Sequence, residues 1–357
     1  MCGIAGIYNF KGNKPIIPSG RVENMLKAIR HRGPDESGIY TNNNLGIGNV
    51  RLSIIDLNTG QQPLSIRDKR YWIVYNGELF NYIELKEKLI KIGIDFFTDC
   101  DTEVVIQCFA EYGADCLNLF NGQFAFAIWD NQKKELFMAR DRVGIRPLFY
   151  TIQNGSIYFC SEIKGLFENH EIKRKISLPS LSQIFTFWTT ITPNTPFDDI
   201  YELPPGHYLH LSNKKINIQK YWSLPFPAMK NISTQSLDAL VDHFCELFYD
   251  SVRIRLRADV EVAAYLSGGI DSSITTAFIK KIEPSVLNTY SIGFDDEIFD
   301  ETKYQLESAY YFKTNHKAFS CTKADIGNNF FNTVYHTEFL FKNRPNSYVS
   351  AFEKSKR

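Results

Sequence analysis

Over roughly the first 165 residues, apolar positions fall in short runs broken by Gly, Asn or Asp: CGIAGIY, IYTNNNLGIGNV, YWIVYNGELF, FAFAIWD and SIYFCSE. Runs of this length, rich in Ile, Val, Tyr and Phe, predict β-strands. Two segments between them keep a different period. NYIELKEKLIKIG and TEVVIQCFAEYGADCLNLF repeat their apolar residues every three or four positions opposite a charged face, and predict helices. Strands with helices interleaved predict an α+β layered domain.

Further along, Pro193, Pro196, Pro204, Pro205, Pro225 and Pro227 gather around ELPPGHYLHL and KKINIQKYWSLPFP, which read as a rim strand and a connector. Beyond them the pattern changes. ALVDHFCELFYDSVRIRL predicts an amphipathic helix, EVAAYL a buried strand, SSITTAFIKKI a second helix and VLNTYSIGF another strand. That alternation predicts a parallel α/β sheet. The chain therefore divides into a first domain over 2–192, a rim strand and linker over 193–235, and a second domain over 236–357. Its last residues, FEKSKR, fall inside another helical pattern, so the second domain is expected to be truncated.

Composition sharpens this picture. At 357 residues the chain exceeds what one hydrophobic core usually serves, and 44% hydrophobic content with 28 Phe and 19 Tyr fits large buried cores rather than disorder. Forty basic residues balance forty acidic ones, so no broad cationic field exists to hold nucleic acid or an anionic membrane. The seven cysteines include no C-x-x-C pair, which argues against a disulfide or zinc framework and fits a reducing cytoplasm. No segment approaches the roughly 18 continuous apolar residues of a membrane span.

Cys2 is the first chemical candidate. Removal of Met1 would place its thiol beside a free α-amine that titrates near neutrality, so one residue would carry both nucleophile and base. A small buried residue is the plain alternative. Four later segments suit an attack on an amide. His31-Arg32-Gly33-Pro34-Asp35 makes a tight turn, or simply a loop. Arg51, expected at the start of a strand in Arg51-Leu52-Ser53-Ile54-Ile55, offers a guanidinium fork for a carboxylate, or a surface charge. Asn76-Gly77-Glu78 offers an amide and a backbone N–H for an oxyanion, although Asn-Gly also suits a turn. Asp101 can hold an ammonium or cap a helix.

These segments carry a resemblance. CGIAG, RHRGPDESG, RLSIID, YNGELFN, DTEVV, GQFAFAIWD, RDRVGIRPLFY and FCSEIKGL, in this order, resemble the class II glutamine amidotransferase domain, an N-terminal nucleophile hydrolase. The resemblance implies a four-layer αββα domain with Cys2 as nucleophile. It also implies glutamine binding by Arg51, Leu52, Ser53, Ile54, Ile55, Asn76, Gly77, Glu78 and Asp101, with Asn76 and Gly77 forming the oxyanion hole.

The second chemical centre is Ser267-Gly268-Gly269-Ile270-Asp271-Ser272-Ser273, expected between a strand and a helix. Its glycines admit a ligand close to the backbone, its hydroxyls donate, and the helix N-terminus favours phosphate. A serine-capped turn is the simpler alternative, and the loop is neither a Walker A nor a dinucleotide motif. It resembles the pyrophosphate loop of ATP pyrophosphatases. With the amidotransferase domain in front, the combined resemblance is to the asparagine synthetase family, supported by TYSIGFDD, by Asp300-Glu301 and Tyr304, by Thr314-Asn315-His316 and by Val334 to Glu338.

That resemblance implies glutamine, aspartate and ATP as substrates, with Leu266 and Ile292 beside the adenosine. Asp271 would hold Mg2+ with pyrophosphate, and Glu338 would act at the adenylate or ammonia step; a helix N-terminal carboxylate and a solvated charge are their alternatives. It admits a homodimer. FAFAIWD and IFTFW are candidate walls for ammonia transfer, or ordinary core. The family's second glycine loop, S-G-x-G-x-D-E, does not occur, so an incomplete second domain is expected. Amidation of another carboxylate, such as a sugar acid, and a non-catalytic binding module remain the rival readings.

Overall fold

GQFAFAIWD is apolar on both sides because both of its faces are buried. In the computed structural model, which describes residues 1–11, 17–226, 234–295, 298 and 300–338, this segment is the strand Gly122–Asp130. Phe124, Phe126 and Ile128 point into one core and Ala125, Ala127 and Trp129 into another. Alternate side chains leave a strand on opposite faces, so one nine-residue run serves two cores.

The chain divides into two units, 1–226 and 227–357. In order, the first contains β1 (Gly3–Asn9), α1 (Ser19–Ala28), β2 (Glu36–Thr41), β3 (Leu45–Arg51), β4 (Leu64–Ile66), β5 (Tyr71–Leu79), α2 (Tyr82–Lys91), α3 (Asp101–Tyr112), α4 (Cys116–Leu119) and β6 (Gly122–Asp130). There follow β7 (Glu135–Arg140), β8 (Phe149–Gln153), β9 (Ser156–Cys160), α5 (Ile163–Leu166), α6 (Leu178–Phe187), β10 (Tyr201–Glu202), β11 (His207–Ser212) and β12 (Lys215–Lys220). One sheet runs β10-β8-β9-β1-β3-β2 and the other β12-β11-β7-β6-β5-β4.

Three cores set the layers. Ile4, Leu45, Ile47, Val74, Trp129, Met138 and Phe159 fill the space between the two sheets. Val22, Met25 and Leu26 of α1 cover the outer face of the first sheet together with Ile163 and Leu166 of α5. Leu85 and Leu89 of α2 and Val104, Val105 and Cys108 of α3 cover the second sheet. The result is the αββα stack implied by the resemblance. The proline-rich stretch supplies β10, β11 and β12 to these two sheets, and residues 227–233 of the connector lie outside the described ones.

The second unit contains α7 (Leu237–Arg255), β13 (Ala263–Tyr265), α8 (Ile270–Ile282), β14 (Asn288–Phe294), α9 (Thr302–Phe312), β15 (Asn315–Cys321), α10 (Lys323–Asn328) and α11 (Phe330–Thr337). Among the described residues its sheet is β13-β14-β15, and both pairings are parallel, as the alternation predicts. Val252, Ile279 and Leu287 form its core with Phe248 and Phe278. EVAAYL is not the buried strand expected. β13 lies at the edge of the described sheet, and Tyr265 is 74% exposed. The chain's last residues, 339–357, and the truncation expected there, lie outside the described residues. No described helix is long and apolar enough to cross a membrane.

Candidate active site

Cys2 immediately precedes β1, which sits inside its sheet between β9 and β3. The start of the chain is therefore held by ladder hydrogen bonds on both sides. The Cys2 Sγ lies 3.4 Å from the Leu52 N–H, which donates to it, and 3.6 Å from the Leu52 carbonyl, while its own carbonyl accepts from Arg32 Nε at 2.9 Å. Burial pushes the thiol above its usual range, against the Leu52 N–H, the terminal amine and Arg51. Met1 still precedes it, and burial, with help from the charges of Arg32 and Arg146, pushes the Met1 amine down.

One cavity beside Cys2 is lined by Met1, Arg51, Leu52, Ile54, Ile55, Gln62, Tyr75, Asn76, Gly77, Glu78, Cys100, Asp101, Thr102 and Arg146. Every residue that the sequence assigns to glutamine is among them except Ser53, whose N–H instead bonds Asp35 Oδ2 at 2.9 Å and ties the 31–35 segment to this loop. Arg51 departs from expectation. It is the last residue of β3, not the first of a strand, because LGIGNV before it is the segment that pairs with β1 and β2. Its buried guanidinium meets Glu36 Oε2 at 3.1 Å and donates to the Ile55 and Asp56 carbonyls at 2.9 and 2.6 Å.

Asn76-Gly77-Glu78 is not a turn. It continues β5, with Asn76 opposite Ala125, Gly77 opposite Phe124 and Glu78 opposite Gln123. The Asn76 side chain is wholly buried, and neither its Nδ2 nor its Oδ1 has a hydrogen-bond partner. A buried amide without partners costs on the order of 1–3 kcal/mol, a cost that a ligand in the cavity would remove. Gly77 admits no side chain: a Cβ would stand 2.5 Å from the Gln123 carbonyl and 2.8 Å from Tyr75 Cζ.

Asp101 opens α3, but it does not cap it. Its Oδ2 accepts from the Leu79 N–H at 2.9 Å and from the Tyr75 hydroxyl at 3.2 Å. Burial nevertheless pushes its carboxyl up to about 6. A buried carboxylate poised this way gains most from a cationic partner.

Glu162, in the quoted FCSEIKGL segment but given no role by the sequence, stands behind Arg32. It meets Arg32 Nη1 at 2.8 Å, His31 Nε2 at 3.1 Å and Lys164 Nζ. Burial works against ionisation, but the His31 hydrogen bond and the charges of Lys164 and Arg32 overcome it and hold the carboxyl down to about 2. Arg146 was also missed. Only the juxtaposition of distant segments reveals either residue.

In the second unit the 267–273 loop joins β13 to α8. The Ser267 and Ser272 hydroxyls are 3.0 Å apart, the Gly269 N–H donates to Ser267 Oγ at 3.3 Å, and Ser272 Oγ donates to the Gly269 carbonyl at 3.1 Å. Gly268 has φ +83°, and a Cβ there would lie 2.7 Å from Tyr304 Cβ of α9. Asp271 is exposed in the first turn of α8, and Ser273 follows one turn after Gly269, to whose carbonyl its N–H donates at 3.1 Å. Leu266 is buried, its N–H on the Tyr290 carbonyl, and the Ile292 carbonyl accepts from Gln305 Nε2 at 3.0 Å. Glu338 terminates α11 in the left-handed conformation, φ 58°.

An αββα stack with a cysteine at the start of an interior strand, beside a cavity lined by Arg51, Asn76, Gly77 and Asp101, defines an N-terminal nucleophile hydrolase architecture of the amidotransferase kind. The chain belongs to the glutamine amidotransferase domain family, whose model matches residues 1–222, and residues 243–349 match the asparagine synthase family. It is 38% identical over 315 residues to asparagine synthetase [glutamine-hydrolyzing] 1 of Bacillus subtilis, covering 87% of this chain and 48% of that one. It is 36% identical over 348 residues to a putative asparagine synthetase of Methanocaldococcus jannaschii, covering 91% and 66%. Amidase chry2 of Gibberella zeae is 33% identical over 321 residues, covering 83% and 47%. The chain thus spans about half to two thirds of the length of these relatives.

Proposed function

We propose that the first unit hydrolyses glutamine and that the released ammonia serves an ATP-dependent amidation of aspartate to asparagine. The observation that carries the reading is the partnerless Asn76 amide beside Gly77 in the cavity that also holds Cys2, Arg51 and Asp101. Removal of Met1 frees the Cys2 nitrogen, which takes the thiol proton. The sulfur adds to the glutamine carboxamide carbon, and Asn76 Nδ2 with the Gly77 N–H receives the negative oxygen. The proton passes to the leaving nitrogen, ammonia departs, and water hydrolyses the thioester to glutamate. Asp101 pairs with the substrate ammonium and Arg51 with its carboxylate; Leu52, Ser53, Ile54, Ile55 and Glu78 frame the rest.

In the second unit Ser267, Gly268, Gly269, Ser272 and Ser273 surround the pyrophosphate portion of ATP, with Leu266 and Ile292 at its adenosine. A compact hydroxyl cluster at the N-terminus of a 13-residue helix supports that placement. The exposed Asp271 carboxylate in the same turn fits Mg2+, which favours one or two carboxylates plus phosphate oxygens and would neutralise the charge of the leaving pyrophosphate. Glu338 serves the adenylate or ammonia step. Free cysteines throughout the described residues support a reducing cytoplasmic setting. A homodimer is compatible with these roles.

Glutamate release from glutamine, measured together with ATP–pyrophosphate exchange over a panel of carboxylates, tests the reading. Glutamate release is expected to disappear in Cys2→Ala and to fall about 10²–10³-fold in kcat in Asn76→Ala. Exchange with aspartate is expected of a polypeptide spanning the full length of the asparagine synthetase relatives. Exchange with a sugar acid and not aspartate would move the acceptor, while absence of glutaminase from protein beginning at Cys2 would reject the first half.

A further inference from the structure

The glutaminase reading leaves one cation of the cavity without a task. Arg146 lines that cavity together with Cys2, Asn76 and Glu78, is 7% exposed, and keeps its Nε buried with no hydrogen-bond partner. Its backbone is pinned on both sides. The Arg146 N–H donates to Asp141 Oδ2 at 2.9 Å, and the Arg146 carbonyl accepts from Arg140 Nε at 2.7 Å. Arg140 is itself anchored to the Leu203 and Gly144 carbonyls, so the RDRVGIR turn presents Arg146 from a rigid frame. Arg51 differs in having its guanidinium already engaged by Glu36 and two carbonyls. A buried guanidinium with an unused donor is costly unless something in the cavity repays it.

We propose that Arg146 controls the charge state of the nucleophile, its fixed positive charge disfavouring a proton on the nitrogen next to the thiol and stabilising the anionic sulfur. The inference rests on the glutaminase reading and deepens it. The proton leaves Cys2 Sγ for the α-amine and then moves to the departing nitrogen. A cation near both sites keeps the resting amine free to accept it and makes the protonated amine a stronger acid toward the leaving group. The position suits this task. Burial pushes Arg146 itself below its usual range, Glu78 opposes that change, and Cys2 and Arg32 are among the charges it feels. Other titratable or charged groups facing Cys2 and the terminal amine beside it, here that of Met1, are Arg32, Arg51, Glu78, Asp101, Tyr75 and Cys100, with Glu162 behind Arg32.

Two readouts on the full chain beginning at Cys2 test the assignment: the pH dependence of glutaminase kcat/KM, and the pH dependence of Cys2 alkylation by iodoacetamide. In Arg146→Met the acid limb of both profiles is expected to move up by about one pH unit, the effect of deleting a nearby charge. Arg146→Lys is expected to restore the limb. Arg146→Gln gives a second neutral variant should Met fail to fold. Neutral variants that raise KM while both acid limbs stay in place would overturn the proposal and make Arg146 a substrate-carboxylate ligand. Absent glutaminase activity in the parent chain would reject the parent reading alone, since the alkylation profile still reports what Arg146 does to Cys2.

Discussion

At the scale of single residues, the cavity holds groups whose burial carries a cost that a ligand would lower. Asn76 has no partners, and Asp101 is a carboxylate whose ionisation burial resists. The Asp101 carboxyl titrates higher in the fold than unfolded. Its contribution to stability is therefore fully present below about pH 4 and is lost as pH rises through about 6. Asp101→Asn should accordingly melt higher than the parent at pH 8, by up to about 3 kcal/mol, with the difference vanishing near pH 4. On the proposed function the same variant should raise the KM for glutamine, because the substrate ammonium would lose its counter-ion. The parent KM should also climb as pH falls through about 6. A melting series from pH 4 to 8 alongside glutamate assays checks both; a variant no more stable at pH 8 than at pH 4 contradicts the burial argument.

Elements explain how these residues meet. Residues from the start of β1, the end of β3, the C-terminal part of β5 and the first turn of α3 converge because β1 and β3 are neighbours in one sheet, packed face to face against β5 in the other. Glu162, at the junction of β9 and α5, braces this arrangement from behind through Arg32. Its carboxyl titrates lower in the fold, so its contribution is present above about pH 4.5 and is lost as pH falls toward 2. Glu162→Gln leaves Arg32 and Lys164 buried without their anion and should cost roughly 3–5 kcal/mol at pH 7. Denaturant titrations at pH 7 and pH 3 measure the loss, which should shrink at the lower pH. Much of this was legible in the sequence, since long strands buried on both faces leave continuous apolar runs and the residues lining the cavity lie in short contiguous segments. Asn76-Gly77 left a turn open as an alternative because Asn-Gly carries turn propensity, which pairing with β6 overrides. Arg51 was placed at the wrong end of a strand because a glycine-rich run conceals where pairing begins. Glu162 was illegible because its partners His31 and Arg32 lie about 130 residues away.

For the molecule as a whole, the two units have separate cores, and the proposed function gives each its own chemistry. Glutamine and ATP should therefore report on different parts of one melting curve. On the proposed function, calorimetry of the Cys2→Ala chain, expected to bind glutamine without turnover, should show glutamine raising the transition of residues 1–226 and ATP with Mg2+ raising that of the second unit, each by RT ln(1 + [L]/Kd). A single transition raised equally by either ligand would contradict independent units. A further consequence follows from the interior place of β1 between β9 and β3. Amides on such a strand are among the slowest to exchange with deuterium, because freeing them requires opening two ladders at once. The sulfur is thus moored to a slow-opening part of its unit, and heat inactivation of the proposed glutamine cleavage should coincide with melting of residues 1–226 rather than precede it.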